Sequence, residues 1–265
     1  MDYTALFGYL GALLIGVIIG LFGGGGSILA VPVFVYLFHV NPILATSYSL
    51  FVVGFSAAIG TLINIKKKLI EYKTAFVFSV PAIAVVFISR RYLIPNLPDI
   101  VLEIGRVSLT KETALMLFFS TVIIGASWSI LKTNKPSIPE KPAPINYGLL
   151  VVIGLAVGLL TGMVGAGGGF VIVPALVLFA GLELKKAVAT SLIIITVNSL
   201  FGFSADIYLL SIDWDFLIGF TCLSIVGIFI GAYILNFMEE RSLKANFARF
   251  MLIMAVLILY NELSS

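Results

Sequence analysis

The chain has 265 residues, of which 60% are hydrophobic and 11% are charged. A soluble domain carries about 25% charged residues, so 16 basic and 13 acidic side chains are too few to coat a soluble globule of this size. The composition predicts a polytopic membrane protein and excludes a water-soluble enzyme. With one Cys and one His, the chain has no disulfide framework and no Cys/His zinc site, and we expect no metal or cofactor. The net charge of +3 gives no indication of nucleic-acid binding.

Apolar segments follow one another along most of the chain. Eight are long enough to span a bilayer: 5–22, 43–65, 74–94, 112–131, 147–163, 187–208, 215–237 and 246–262. Two others, 26–38 and 168–180, have only 13 residues each. As helices they would reach roughly 20 Å, against a hydrocarbon core of about 30 Å. The sequence therefore predicts two helices that do not cross the membrane on their own.

A glycine cluster precedes each of these short segments. The first runs from Gly23 to Gly26 and is followed by Ser27, and the second comprises Gly165 and Gly167–Gly169. Consecutive glycines break a helix, because each one costs about 1 kcal/mol relative to alanine. Inside apolar sequence, such a break persists only where protein buries the backbone or where the backbone lines a cavity.

The two clusters belong to an internal repeat. Moving the sequence by one constant number of residues places Gly23 on Gly165 and Val31-Pro32 on Val173-Pro174. We call this constant displacement the repeat shift. Its register holds without a gap until Glu71-Tyr72 meets the similar pair Asp213-Trp214. The repeat predicts two homologous halves, 1–131 and 147–265, joined by a polar, proline-rich linker at 132–146.

The distribution of Lys and Arg predicts how the halves are oriented. If each glycine-broken pair re-enters its own side, 11 basic residues lie on one face and four on the other; if each pair crosses once, the split is 7 against 8. The positive-inside rule favours the first arrangement. We therefore predict an all-α protein of the cell (inner) membrane with two inverted repeats. Each repeat has a re-entrant helix pair and three spanning helices, both termini lie outside, and the linker is cytoplasmic.

The glycine turns predict an anion site near the bilayer midplane. Free N–H groups at helix starts attract anions, and glycine allows close approach of a ligand to the backbone. A cation pathway would usually contain a deep carboxylate, and the nearest, Asp206, lies about one turn from a segment end. The predicted substrate-binding residues are the glycines of both turns together with nearby hydroxyl and amide side chains: Gly23, Gly24, Gly25, Gly26, Ser27, Ser47, Ser49, Ser56, Gly165, Gly167, Gly168, Gly169, Thr190, Ser191, Asn198 and Ser199.

Structural roles compete with the binding role at several of these positions. Small residues in membrane helices often serve close packing, and individual hydroxyls often bond back to their own helix. Arg90-Arg91 closes an apolar segment, which we interpret as an interfacial anchor, although the pair could instead draw anions to the outer mouth. If both turns form one shared site, matched positions in the two halves are expected to contribute similarly.

The glycine motif of 20–32 and its echo at 162–174 resemble the TauE/SafE sulfite-exporter family of membrane permeases. The Ala-Thr-Ser runs at 45–47 and 189–191, Asn198-Ser199, and the segments 70–72 and 212–214 are similar to that family too. The stretch 89–99 and the loop after it depart from the shorter loop expected. The resemblance implies transport of sulfite, sulfoacetate or related sulfonates, and leaves the substrate, direction and coupling ion unassigned.

These observations favour a secondary transporter that acts by alternating access, with a small anion and the lipid bilayer as its partners. Proton coupling and a homodimer remain open. An uncoupled anion channel is the alternative within transport, and a structural or assembly factor is a further one. The enzyme alternative is an intramembrane serine hydrolase with Ser56 as nucleophile, which would need His39, the only histidine, as its base. We expect no catalytic residues.

Overall fold

The computed structural model describes residues 3–98, 100–104, 107–132, 146–165, 167–238 and 240–264. Most of the predicted linker, residues 133–145, lies outside this described part. The helices are α1 (Tyr3–Phe22), α2 (Ser27–Pro32, continued as a wider π-type turn over Val33–Leu37), α3 (Pro42–Lys66), α4 (Tyr72–Ile88, continued in the same way over Ser89–Leu93), α5 (Lys111–Lys132), α6 (Tyr147–Val164), α7 (Gly169–Phe179), α8 (Leu184–Asp206), α9 (Trp214–Ile234) and α10 (Glu240–Ser264). Short 3-10 turns over Gly23–Gly26 and Leu235–Phe237 precede α2 and follow α9.

A small β-hairpin between α4 and α5 is an exception to the helical architecture. Strands β1 (Ile100–Ile104) and β2 (Val107–Thr110) pair in antiparallel fashion, with Leu102 opposite Leu109. The hairpin occupies the loop whose sequence departs from the family pattern. It adds to the all-α fold without entering the helical bundle that carries the glycine turns.

The lengths and surfaces of the helices confirm a polytopic membrane protein. In the described part of the chain, five of the eight predicted spans form helical stretches long and apolar enough to cross a bilayer: Pro42–Lys66, Tyr72–Leu93, Tyr147–Val164, Leu184–Asp206 and Trp214–Phe237. Large apolar side chains such as Phe76, Trp128 and Tyr260 face outward, as they would against lipid. The helices α2 and α7 are apolar but shorter, as the sequence predicts.

Helices α3 and α8 cross at the centre and run antiparallel. A Cβ on Gly54 would meet Ser199 and Leu200, one on Gly60 would meet Leu192, and one on Gly202 would meet Leu50. Residue numbers therefore rise along α3 as they fall along α8. The start of α3 and the end of α8 consequently lie at the same end of the bundle.

The outer helices pack in two parallel pairs. In the α1–α9 pair, a Cβ on Gly227 would lie 3.0 Å from Gly16 Cα, and one on Gly231 would lie 3.0 Å from Gly20 Cα. In the α4–α6 pair, a Cβ on Gly158 would lie 2.7 Å from the Ala82 carbonyl oxygen. Glycine at these positions lets the helix backbones touch, which is the usual way that membrane helices gain packing energy.

Helix α2 folds back along α1 after the first glycine turn. The Phe38 ring, just beyond the end of α2, occupies the space that a Cβ on Gly8 would need near the start of α1. Val33 and Leu37 lie beside Gly11 in the same way. The α1–α2 unit is therefore a helical hairpin with its glycine turn at the tip.

The starts of α4 and α9 are held by equivalent hydrogen bonds. The backbone N–H of Glu71 donates to the Thr190 hydroxyl at 3.0 Å, and the backbone N–H of Asp213 donates to the Tyr48 hydroxyl at 2.9 Å. The repeat shift exchanges the two bonds, because it places Glu71 on Asp213 and Tyr48 on Thr190. Each half thus uses its third helix to fix the first turn of a helix from the other half.

Candidate functional site

The two glycine turns meet backbone to backbone in the centre of the protein. A Cβ built on Gly24 would overlap Gly169 Cα, and one built on Gly169 would overlap the Gly24 backbone. Any side chain at either position would separate the turns. The requirement for glycine is therefore steric here, and the sequence alone could not have paired these two residues.

Both turns use left-handed backbone, which favours glycine over residues with a Cβ. Gly23 has φ +65°, and Gly165 has φ +69°. Gly25 and Gly26 complete the 3-10 turn of the first cluster, while Gly167 and Gly168, also left-handed, lead into α7. Each turn thus reverses the chain at the tip of its hairpin.

The turns lie toward opposite ends of the central α3–α8 pair. Gly23 approaches Ser191 and Val188 near the start of α8. Gly165 approaches Thr46 near the start of α3, and a Cβ there would overlap both Thr46 and the Nη2 atom of Arg90. Because α3 and α8 are antiparallel, these two environments are on opposite sides of the contact between Gly24 and Gly169.

Arg90 is buried, which corrects its interpretation as an interfacial anchor. Its side chain is 1% exposed, whereas the neighbouring Arg91 is exposed. Arg90 Nη1 donates to Asp206 Oδ2 at 3.0 Å and to the Thr46 hydroxyl at 3.0 Å. The π-type turn that ends α4 directs Arg90 into the bundle toward the second glycine turn.

Asp206 is the buried counterpart of this cation. It is the last residue of α8, it is 4% exposed, and it lies at the same end of the bundle as Arg90 and Thr46. A buried ion pair is formed against a large desolvation cost, and each partner needs further hydrogen bonds to compensate for that cost. Arg90 has one such bond, to Thr46, but its Nε and Nη2 atoms have no hydrogen-bond partner among the described residues.

Other buried polar groups of α3 and α8 are also unsatisfied. Both side-chain atoms of Asn198 and the hydroxyls of Ser47, Ser49 and Ser199 lack a partner in the described part of the chain. A Cβ on Gly167 would lie 2.7 Å from Ser199 Oγ, and the Ser47 hydroxyl lies beside the Asp206 carboxylate without forming a well-oriented hydrogen bond. Unpaired buried polar atoms are costly, so their concentration here is typical of a ligand site.

The remaining predicted hydroxyls are engaged elsewhere. Ser27 donates to the Gly24 carbonyl at 2.6 Å and Ser191 to the Val188 carbonyl at 2.8 Å. Ser56 donates to Ser224 Oγ on α9 at 3.0 Å, and Thr190 accepts the Glu71 N–H at the start of α4. These contacts hold the backbone and the helix pairs together.

The contact that the hydrolase alternative needs is not formed in the described structure. Ser56 is bonded to Ser224, and His39 is exposed beyond the end of α2. Among the described residues, no group of three or more His, Cys, Asp and Glu side chains could hold a metal ion.

Sequence reasoning missed the Arg90–Asp206 pair for an identifiable reason. Both residues close long apolar segments, where charged side chains usually snorkel to the interface. The signal in the sequence was that α4 and α8 end at the same face under the predicted topology, α4 with two basic residues and α8 with one acidic residue. That signal becomes specific only when the two helices are known to be neighbours.

Known proteins resemble the chain over most of its length. The family model described as "Sulfite exporter TauE/SafE" matches residues 9–258. The "Probable membrane transporter protein YunE" of Bacillus subtilis is 29% identical over 218 residues, which are 76% of this chain and 78% of that protein. The "Probable membrane transporter protein YdhB" of the same organism is 25% identical over 232 residues, covering 88% of this chain and 91% of that protein.

Proposed function

Because the chain belongs to the TauE/SafE sulfite exporter family, we propose that it is a secondary transporter of small sulfur-containing or organic anions. The proposed substrate class is sulfite, sulfoacetate or related sulfonates, bound at the glycine turns on the side of Arg90 and carried by alternating access. The observation that carries the proposal is Arg90, a buried cation with two unsatisfied nitrogen atoms, one of them against the second turn.

The chemistry of the unsatisfied groups suits an oxyanion. The Nε and Nη2 atoms form one edge of a planar guanidinium, and such an edge can donate two parallel hydrogen bonds to two oxygens of one ligand. The Ser199 hydroxyl, beside Gly167 of the second turn, and the buried Asn198 amide of the same helix are further unpaired neutral groups. A sulfonate or sulfite offers several oxygens around one sulfur atom, so it could accept from several of these donors together.

The helix directions support an inverted repeat. The repeat-related helices α3 and α8 run antiparallel. Helix α9 is parallel to α3, with which it shares the Tyr48–Asp213 and Ser56–Ser224 hydrogen bonds, and α4 is parallel to α8, beside which it ends at the Arg90–Asp206 pair. The parallel pairs α1–α9 and α4–α6 then make α1 antiparallel to α6. This arrangement fits the predicted orientation in the cell (inner) membrane, with both termini outside and the linker 132–146 cytoplasmic. Inverted repeats with interrupted helices are the architecture of many secondary transporters.

The contact between the turns favours a transporter over an uncoupled channel. Gly24 and Gly169 touch, so no passage runs between them in this conformation. An anion would have to pass around or separate the turns, and alternating access accomplishes that by moving one half against the other.

The proposal is tested by uptake into proteoliposomes that contain the purified protein. Sulfite, sulfoacetate, isethionate and acetate would each be supplied outside, and saturable uptake of at least one sulfur oxyanion is expected. The decisive variant is the double substitution Arg90→Gln with Asp206→Asn, which removes both charges together and so leaves no buried charge unpaired. We expect it to insert normally and to bind the anion at least about tenfold more weakly, since a hydrogen bond to a charged group contributes about 1.5–3 kcal/mol.

The matched control is Arg91→Gln, which removes the same charge from the exposed neighbour. It should retain wild-type uptake. Wild-type anion affinity in the double variant would show that Arg90 is not the binding cation.

A further inference from the structure

We infer that Asp206 is an internal anion that balances the charge of Arg90, and that a proton taken up by Asp206 accompanies each singly charged anion. The inference rests on the proposed function, which it extends by naming the coupling ion and the residue that carries it. It depends on the geometry of the ion pair, on the charges around it and on its distance from solvent.

The ion pair uses only part of Arg90. Asp206 contacts Nη1 through a single oxygen, and the same nitrogen also donates to Thr46. The Nε and Nη2 edge, which would give the strongest bidentate contact, is left without a partner. Asp206 therefore neutralises Arg90 without occupying the edge that an incoming oxyanion would use.

The charge balance explains why a proton is needed. Arg90 and Asp206 together are neutral, so an anion that binds Arg90 adds an uncompensated negative charge to a buried site. Isolated buried charges are strongly disfavoured. Protonation of Asp206 restores neutrality: the proton forms an O–H bond on the carboxylate, and Arg90 then pairs with the transported anion.

In the described part of the chain, no other charged group near Asp206 could balance the charge of a bound anion. Helix α4 contributes Arg90, and α3 contributes the neutral hydroxyls of Thr46 and Ser47. Tyr48 of α3 is engaged with the Asp213 N–H, and the Asp213 carboxylate is exposed and caps α9. The second glycine turn and α7 contain no ionisable side chain in their described residues. Arg90 is the charged group that acts on Asp206.

A proton can reach Asp206 from the end of the bundle where α8 stops. The residues directly after Asp206 are exposed, and Tyr208 is 88% exposed. The carboxylate is thus buried but only two positions along the chain from an exposed side chain. A proton would be taken from water on this side and released when the site opens to the other side and the anion leaves.

The positions that the repeat shift relates to Arg90 and Asp206 carry no ion pair. The repeat shift also holds at the end of α4. It places Gly20 on Gly162 and Ser89 on Gly231, and Gly162 contacts Ser89 just as Gly20 contacts Gly231. By the same shift, Arg90 corresponds to Ala232 and Asp206 to Asn64, whose amide donates to the Gly60 carbonyl of its own helix at 2.8 Å. A single proton carrier per chain is therefore inferred, on the α4–α8 side.

The test uses proteoliposomes with a trapped pH-sensitive dye and isethionate, a sulfonate that keeps a single negative charge near neutral pH. In the wild type, an isethionate gradient should acidify the lumen. Uptake should rise as the outer pH falls from 8 to 6, by up to about tenfold per pH unit for one linked proton. Asp206→Asn should still take up isethionate, with less than about a twofold change over the same pH range and no lumen acidification.

The matched control is Asp213→Asn, which makes the same chemical change at the same end of the bundle. Asparagine is also a good helix cap, so this variant should keep wild-type proton movement. Isethionate uptake by the wild type without lumen acidification would overturn the inference and leave the proposed function intact, and this result does not depend on whether Asp206→Asn folds. Retained pH dependence in Asp206→Asn would overturn it too. Uptake of no sulfur oxyanion at all by the wild type would refute the proposed function, and the inference with it.

Discussion

The first glycine turn packs against the start of α8, and the second packs against the start of α3. Gly23 faces Ser191 and Val188, which are neutral and hydrogen-bonded to each other, whereas Gly165 faces Thr46 and the buried cation Arg90. The two turns therefore share a left-handed first glycine but differ in their surroundings. Under the proposed function, the turn beside Arg90 binds the anion and the other mainly shapes the path.

This asymmetry differs from the expectation that matched glycines contribute equally to one shared site. A duplicated glycine motif specifies a chain reversal in each half, because the glycines permit the turn. It does not specify which side chains from other helices reach that turn. The three predictions that follow separate what the two turns share from what only one of them has.

The largest effect is expected where the turns touch each other. Gly169→Ala should destabilise the protein by about 3 kcal/mol, at the upper end of the cost of overpacking, because its Cβ would overlap the Gly24 backbone. A backbone cannot rotate away as a flexible side chain can. The thermal unfolding midpoint of the purified variant in detergent measures this effect.

Gly219→Ala is the control for the contact between the turns. A Cβ on Gly219 in α9 would meet nothing within 4 Å, so alanine there should be neutral or slightly stabilising. If Gly169→Ala were as stable as Gly219→Ala, the two turns would not be in contact.

An intermediate effect should distinguish the two turns by their ligand affinity. Gly23→Ala and Gly165→Ala both place a Cβ on left-handed backbone, at a shared cost of about 1–2 kcal/mol in stability. Only Gly165→Ala also displaces Arg90, so it alone should weaken sulfoacetate binding, by about tenfold or 1.4 kcal/mol. Calorimetric titration of both purified variants measures the affinity difference. Equal losses of affinity would restore the symmetric, shared site.

The smallest effect should be the same in both halves. Tyr48→Phe and Thr190→Val each remove the hydroxyl that accepts the first N–H of a helix from the other half. Each should lower the free energy of unfolding by about 1 kcal/mol, the usual net contribution of a hydrogen bond. Chemical unfolding of the two variants under identical conditions gives the comparison. A large effect in one variant and none in the other would argue against a two-fold relation between these helices.

The sequence by itself determined the class of the protein, the ends of most helices and the two interruptions. Composition required a membrane, since too few charges exist to cover a soluble surface, and consecutive glycines required a break before α2 and before α7. The internal repeat anticipated that the halves would use equivalent contacts, as the bonds to Thr190 and Tyr48 do. These features depend on residues close together in the chain or on a register that the sequence itself displays.

Only the tertiary structure decided which polar residues meet. Arg90 and Asp206 are 116 positions apart, and their pairing depends on α4 and α8 lying side by side and ending together. The same packing assigned Ser56 and Thr190 to hydrogen bonds between helices, and left Asn198 and Ser199 without partners near the second turn. Hydropathy describes how deeply a helix is buried, but the direction in which a side chain points depends on its neighbours. A sequence pattern that reports burial therefore could not identify the cation that distinguishes one turn from the other.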